Sequence, residues 1–69
     1  MDPFIYTVAV NGKEYGYCDR EMAKESFLNE IMHATPGSVI EYWKDGDNGE
    51  RIRHRSVKVL QNSDFEEVA

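Results

Sequence analysis

The dipeptide Asn11-Gly12 is the short feature that most constrains how this chain can fold. A two-residue type I′ turn requires positive φ at both central positions, and Asn followed by Gly meets that requirement well. Residues 4–10 before it are mostly β-branched or aromatic, and residues 13–18 after it have tyrosine at alternate positions. The sequence therefore predicts a β-hairpin whose inward face consists of Phe4, Tyr6, Val8, Val10, Tyr15 and Tyr17.

A helical period replaces this alternation between Arg20 and about Ala34. Asp19, just before it, is a favourable N-cap residue, because its carboxylate can accept hydrogen bonds from the first turn. The pair Pro36-Gly37 ends the helix, since proline disfavours the helical conformation at the residue before it. The buried stripe of this helix is predicted to consist of Ala23, Phe27, Ile31 and Ala34.

A second hairpin is predicted around a five-residue turn at 45–49, which contains two glycines and two aspartates. Its strands would be residues 38–44 and 50–60. Pairing across this turn places Trp43 opposite Arg51, and it leaves Arg51, Arg53 and Arg55 on one face of the sheet. The opposite face, assigned to the helix side, would carry Ile40, Tyr42, Ile52 and His54.

The apolar pattern of the last predicted strand conflicts with this register. Val57 and Val59 have the same parity as the arginines, although valines belong in a core and arginines on a surface. Either a β-bulge near Arg55-Ser56 or the end of strand pairing at that point would resolve the conflict.

These elements predict an α+β fold of ββαββ order, with a four-stranded, largely antiparallel sheet and one helix packed across one face. Residues 1–60 are expected to form a single domain, and residues 61–69 an acidic, flexible C-terminal tail. The element order, the Val-Asn-Gly-Lys hairpin and Trp43 on the third strand resemble a small β-grasp domain of the immunoglobulin-binding protein G type. This resemblance covers residues 4–60 and implies a fold, not a function.

Size and composition exclude several classes of protein. A chain of 69 residues and 8.0 kDa has room for one domain, and its single cysteine cannot form an internal disulfide. The net charge of −5 argues against attraction of the whole molecule to nucleic acid or anionic lipid. No apolar run approaches the length needed to span a bilayer, so we expect a cytoplasmic protein without a membrane partner. We also expect the protein to be a monomer or a homodimer.

No arrangement of residues predicts catalysis, a metal site or a cofactor site. Cys18 and His33 lie near opposite ends of the predicted helix, about 20 Å apart, and are too distant to act as a nucleophile and base. We interpret Cys18 as a half-buried structural thiol. The carboxylates Asp45, Asp47 and Glu50 are explained by turn chemistry, because an EF-hand loop needs twelve residues and flanking helices. The sequence therefore indicates a protein that is not an enzyme.

The arginine row of the fourth strand, together with Trp43, is the predicted binding surface. Interface centres are enriched in Trp, Tyr and Arg, so the first hypothesis is a small acidic binding module of bacterial or phage type. It would act as an adaptor or inhibitor by binding a larger protein. The alternative is weak binding of single-stranded nucleic acid, with arginines on phosphates and an aromatic ring under a base. The residues predicted for this face are Glu41, Trp43, Arg51, Arg53, Arg55 and Lys58.

Overall fold

A computed structural model describes residues 4–61 and 64–68 of the chain. One helix and five strands form a single α+β unit in which every pair of neighbouring strands is antiparallel. The elements in chain order are β1 (Tyr6–Val10), β2 (Lys13–Tyr17), α1 (Arg20–His33), β3 (Val39–Asp45), β4 (Arg51–Val59) and β5 (Phe65–Glu67). Within the described residues, no helix is long and apolar enough to cross a membrane.

The first hairpin has the predicted turn and register. Asn11 and Gly12 both have positive φ, at 50° and 89°, and Val8 lies opposite Tyr15. The side-chain oxygen of Asn11 also accepts a hydrogen bond of 2.9 Å from the backbone N–H of Val39. The turn of this hairpin is therefore attached to the first residue of β3.

The sheet order is β2-β1-β3-β4-β5, which differs from the expectation in two respects. The sheet has five strands instead of four, and β1 lies beside β3 instead of beside β4 as in a β-grasp sheet. The additional strand β5 comes from the segment expected to be a flexible tail. It pairs with Val57–Val59 of β4, so this segment extends the sheet where the structure describes it. Residues 62, 63 and 69 of the predicted tail lie outside the described residues.

The core lies between α1 and one face of the sheet, as the helical and strand periods predict. Asp19 caps α1 by accepting a hydrogen bond of 2.8 Å from the backbone N–H of Glu21. Burial of apolar side chains between the helix and the sheet is the main favourable contribution to the stability of a small domain. The buried core cluster consists of Val8, Ala23, Phe27, Ile31, Ile40, Val57 and Val59.

Two residues of the predicted inward face depart from it. Phe4 is 45% exposed and lies against Gly16, where an added Cβ would be 2.4 Å from the ring. Gly16 pairs with Thr7 and belongs to the opposite face, so Phe4 packs on the side away from the helix. Tyr15 lies opposite Val8 and so keeps the predicted face, but it is 41% exposed. The other four, Tyr6, Val8, Val10 and Tyr17, pack in or against the core.

The predicted register of the second hairpin is wrong, and of the two predicted ways to resolve its conflict the structure has the bulge. Asp45 belongs to β3 and lies opposite Arg51, because the turn occupies residues 46–50. The register then shifts between Tyr42, which faces Arg55, and Lys44, which faces Ile52. One β3 residue, Trp43, therefore lies opposite two β4 residues, Arg53 and His54, so the bulge precedes the predicted site at Arg55-Ser56.

Candidate functional site

The bulge in β4 divides the predicted arginine row between the two faces of the sheet. Arg51 lies opposite Asp45 on the face away from α1, which we call the open face. Arg53 has a φ of 55° at the bulge, and both it and Arg55 line a groove on the helix side. His54, predicted on the helix side, also borders this groove, but its ring contacts Trp43 and Glu41 on the open face. One inserted residue thus separates groups that a regular strand would align.

The groove lies where α1 crosses β1, β3 and β4, and it has a volume of about 380 Å³. Strand register explains part of its lining, because Tyr6 of β1 pairs with Lys44, and Tyr42 pairs with Arg55. The first two turns of α1 supply the remaining wall. We call this site the basic groove, and its cationic residues are Arg20, Lys24, Lys44, Arg53 and Arg55.

Three aromatic rings form the floor of the basic groove. Tyr6 and Tyr42 are stacked with their ring centroids 6.3 Å apart, and Phe27 is tilted against Tyr42 at 5.6 Å. The Arg55 guanidinium carbon lies 5.3 Å from the centroid of the Phe27 ring. Phe27 is buried, whereas both tyrosines are half-buried and present part of their rings to the groove. A flat group and an anionic group could therefore be held side by side.

The positive charges of the basic groove are largely uncompensated. No acidic side chain among the described residues lines it. Within the same described ranges, none lies within 4.0 Å of Arg20, Lys24, Lys44 or Arg53, and Arg55 alone has an acidic partner. The groove holds five of the eight Lys and Arg residues of a chain whose net charge is −5. Such focused charge of one sign attracts an anion to a specific place on the molecule.

Trp43, expected on an exposed binding face, is instead buried on the open face. Its exposed fraction is 3%, and its indole N–H donates a 2.9 Å hydrogen bond to Asp45. Asp45 also accepts a 2.9 Å hydrogen bond from the hydroxyl of Thr7. The guanidinium of Arg51 covers the indole at 3.8 Å, and the His54 ring contacts it at 5.8 Å. In this arrangement the indole has no free face on which a base could stack.

The charged groups of the open face neutralise one another. Arg51 lies 3.7 Å from the Glu41 carboxylate and 3.8 Å from that of Glu14, and Glu41 also contacts His54 at 2.8 Å. Lys58 is at the other end of the open face, where β4 pairs with Val39 on one side and Glu66 on the other. The six predicted site residues therefore fall into three places. Arg51 contacts both Glu41 and Trp43 on the open face, Lys58 lies apart from them, and Arg53 and Arg55 belong to the basic groove.

Several residues of the basic groove were not predicted as site residues from the sequence. Arg20, Lys24 and Phe27 follow one another at spacings of four and three, which places them on one side of α1. That spacing was a usable signal, because Phe27 was predicted to face the core. The contributions of Tyr6 and Lys44 depend on β1 lying beside β3, and no local pattern indicates that pairing.

The other residues considered for chemistry lie apart. Cys18 is exposed, not half-buried as expected, and His33 forms a 2.9 Å hydrogen bond through Nδ1 to the carbonyl oxygen of Asn29. In the part of the chain that the structure describes, no three His, Cys, Asp or Glu side chains are arranged to hold a metal ion.

Comparisons with known proteins provide no family assignment for this chain. Neither a family model, nor a curated protein, nor a solved structure matches it. Inferences about its function therefore rest on the geometry and charge of the residues described above.

Proposed function

We propose that this protein is a non-enzymatic binding module that holds a short stretch of single-stranded nucleic acid in the basic groove. The observation that carries the proposal is the cluster of five cations around an aromatic floor, with no acidic lining residue in the described part of an acidic chain. Single-stranded nucleic acid offers phosphates for the cations and exposed base faces for the tyrosines. A duplex would present phosphates and base edges but no open base face for the tyrosines, because its bases are stacked.

The charge distribution supports a small site rather than a long binding track. Among the described residues outside the basic groove, three are basic and twelve are acidic. A strand that extends beyond the groove would therefore meet repulsion. A groove of about 380 Å³ is at the lower end of the range for sites that hold one small ligand. We therefore expect weak binding, through few phosphates, that decreases as salt increases.

The backbone at Arg53 gives independent support for a functional groove. Arg53 has a φ of 55°, in the left-handed region that costs a non-glycine residue about 1–2 kcal/mol. Glycine would occupy this position without that cost. Contact between the Arg53 charge and a bound anion would account for an arginine, instead of a glycine, at this strained position.

The first test is titration of a fluorescent single-stranded oligonucleotide with the protein, followed by anisotropy at several salt concentrations. The groove variant combines Lys44→Gln and Arg53→Gln. We expect it to weaken binding by about tenfold, because it removes two solvent-screened charge contacts of roughly 0.7 kcal/mol each. The logarithm of the wild-type affinity should decrease linearly with that of salt concentration, by about 0.7 per phosphate contacted.

The matched control combines Arg51→Gln and Lys58→Gln, which remove the same amount of charge from the open face of the same sheet. This variant should retain wild-type affinity within about twofold, since both charges lie outside the groove. Equal losses in the two double variants would show that net charge, not the basic groove, governs binding. Wild-type protein that does not bind single strands even at low salt would refute the proposal.

A protein partner is the second candidate, in keeping with the adaptor or inhibitor hypothesis. The outer surface of α1 exposes Met22 at 59%, Leu28 at 47% and Met32 at 64%. Flexible apolar side chains of this kind are common at protein-binding surfaces. This candidate uses the helix surface and leaves the basic groove without a role, so the oligonucleotide titration separates the two. Both fit a reducing cytoplasm, in which a single exposed cysteine such as Cys18 stays reduced.

A further inference from the structure

We infer that the Arg55 end of the basic groove is a phosphate subsite that the chain's own Glu67 occupies until a ligand replaces it. This inference rests on the proposed function. Arg55 is the one groove cation with an acidic partner among the described residues, and that partner is Glu67 of β5. A carboxylate oxygen therefore marks the position at which an anion binds the Arg55 guanidinium.

Strand register explains why Glu67 reaches Arg55, although Glu67 itself does not line the groove. Glu67 pairs with Val57, and Val57 belongs to the helix-side core, so Glu67 faces the same side of the sheet as Arg55. The Arg55 side chain lies over the Phe27 ring, which directs its guanidinium toward the groove. Glu67 thus reaches an arginine whose opposite side contacts the aromatic floor.

The contact between Arg55 and Glu67 is suited to replacement. The two side chains are 48% and 57% exposed, so water and salt weaken their attraction. A phosphate offers several oxygens and can accept two parallel hydrogen bonds from a guanidinium. The Glu67 side chain can rotate away while β5 keeps its backbone pairing with Val57–Val59. The protein thereby contains a weak internal competitor, which a single phosphate contact must displace.

Glu66 supplies a matched control for this inference. It pairs with Lys58, and Lys58 faces the side of the sheet opposite the core valines, so Glu66 lies on the open face. Glu66→Gln and Glu67→Gln remove the same charge from adjacent positions of one strand. Long-range electrostatics would affect both variants alike, whereas competition for Arg55 affects Glu67→Gln alone.

The experiment is anisotropy titration of a labelled oligothymidylate with wild-type protein and the two full-length variants, at one low salt concentration. Circular dichroism checks that each variant is folded. We expect Glu67→Gln to bind about two- to fivefold more tightly than wild type, the range for the loss of one exposed ion-pair competitor. Glu66→Gln should bind like wild type.

Two results would overturn the inference while the proposed function stands: equal affinities of Glu67→Gln and wild type, or an equal gain in Glu66→Gln. Failure of all three proteins to bind would instead refute the proposed function, and the inference with it.

Discussion

On the open face of the sheet, Arg51 lies within 4 Å of two carboxylates and covers an indole ring. Two residues further along β4, Arg53 points into the basic groove and has no acidic partner among the described residues. The two arginines share a strand and differ in their surroundings. Sequence position alone would assign them the same role.

This difference indicates what each face contributes. On the open face the polar side chains contact one another: Asp45 accepts a hydrogen bond from Trp43, and Arg51 covers the indole and shields it from water. Side chains that already form ion pairs and hydrogen bonds with one another stabilise the fold, and they have few donors or acceptors left for a ligand. The cations of the basic groove repel one another, so an anion that enters the groove relieves an unfavourable interaction. We therefore expect the open face to govern stability and the groove to govern binding.

The largest expected effect is that of Trp43→Ala on stability. Removal of a buried aromatic side chain typically costs about 3–5 kcal/mol, which is comparable with the whole stability of a small domain. Denaturant unfolding should therefore show loss of the cooperative transition, or a large shift of its midpoint. Trp43→Phe keeps a ring but not the hydrogen bond to Asp45, and it should cost about 1–2 kcal/mol. A folded Trp43→Phe that no longer bound oligonucleotide would contradict the division of roles between the faces.

A smaller and opposite effect is expected from Arg53→Gly. Glycine adopts the φ of 55° without steric cost, so the variant should gain roughly 0.5–1 kcal/mol, after allowance for the flexibility of glycine in the unfolded chain. Loss of the groove charge should at the same time weaken oligonucleotide binding several-fold. Unfolding and anisotropy measured on one preparation test both effects. Lower stability, or unchanged affinity, would argue against a strained arginine kept for binding.

The smallest effect is expected from Glu41→Gln on the open face. This change removes the carboxylate shared by Arg51 and His54, which are exposed enough for solvent to screen them. Stability should decrease by less than about 1 kcal/mol in a thermal or denaturant transition. Oligonucleotide affinity should stay within about twofold of wild type. A larger change in affinity would show that the open face takes part in binding.

Features set by neighbouring residues could be predicted from the sequence. Asn11-Gly12 determines a turn by its own conformational preferences, and the spacing of Ala23, Phe27 and Ile31 determines a buried helix face. The parity of Val57 indicates that either a bulge or the end of strand pairing must occur in β4. It does not show at which residue the bulge lies. Its central residue is an arginine with positive φ, which no local preference indicates. This error reversed the face of His54.

Features set by distant contacts could not be predicted. The basic groove combines side chains from α1, β1, β3 and β4, and it exists because β1 lies beside β3. Burial of Trp43 depends on Arg51, which the predicted register placed opposite it, and on Asp45, which that register assigned to the turn. The strand β5 has three residues, and their one apolar side chain gives too little periodicity to identify a strand.

The strand order also determines how the chain can assemble. The pairs β1 with β2, β3 with β4, and β4 with β5 each join segments that follow one another in the chain. Only the pairing of β1 with β3 connects distant residues, and the helix lies within the loop that this pairing closes. The entropy of loop closure is therefore concentrated in one event, during which the helix must pack on both halves. Folding therefore consists of two hairpin units that form locally and then pair through β1 and β3. At one end of this pairing, the side chain of Asn11 accepts a hydrogen bond from the backbone N–H of Val39.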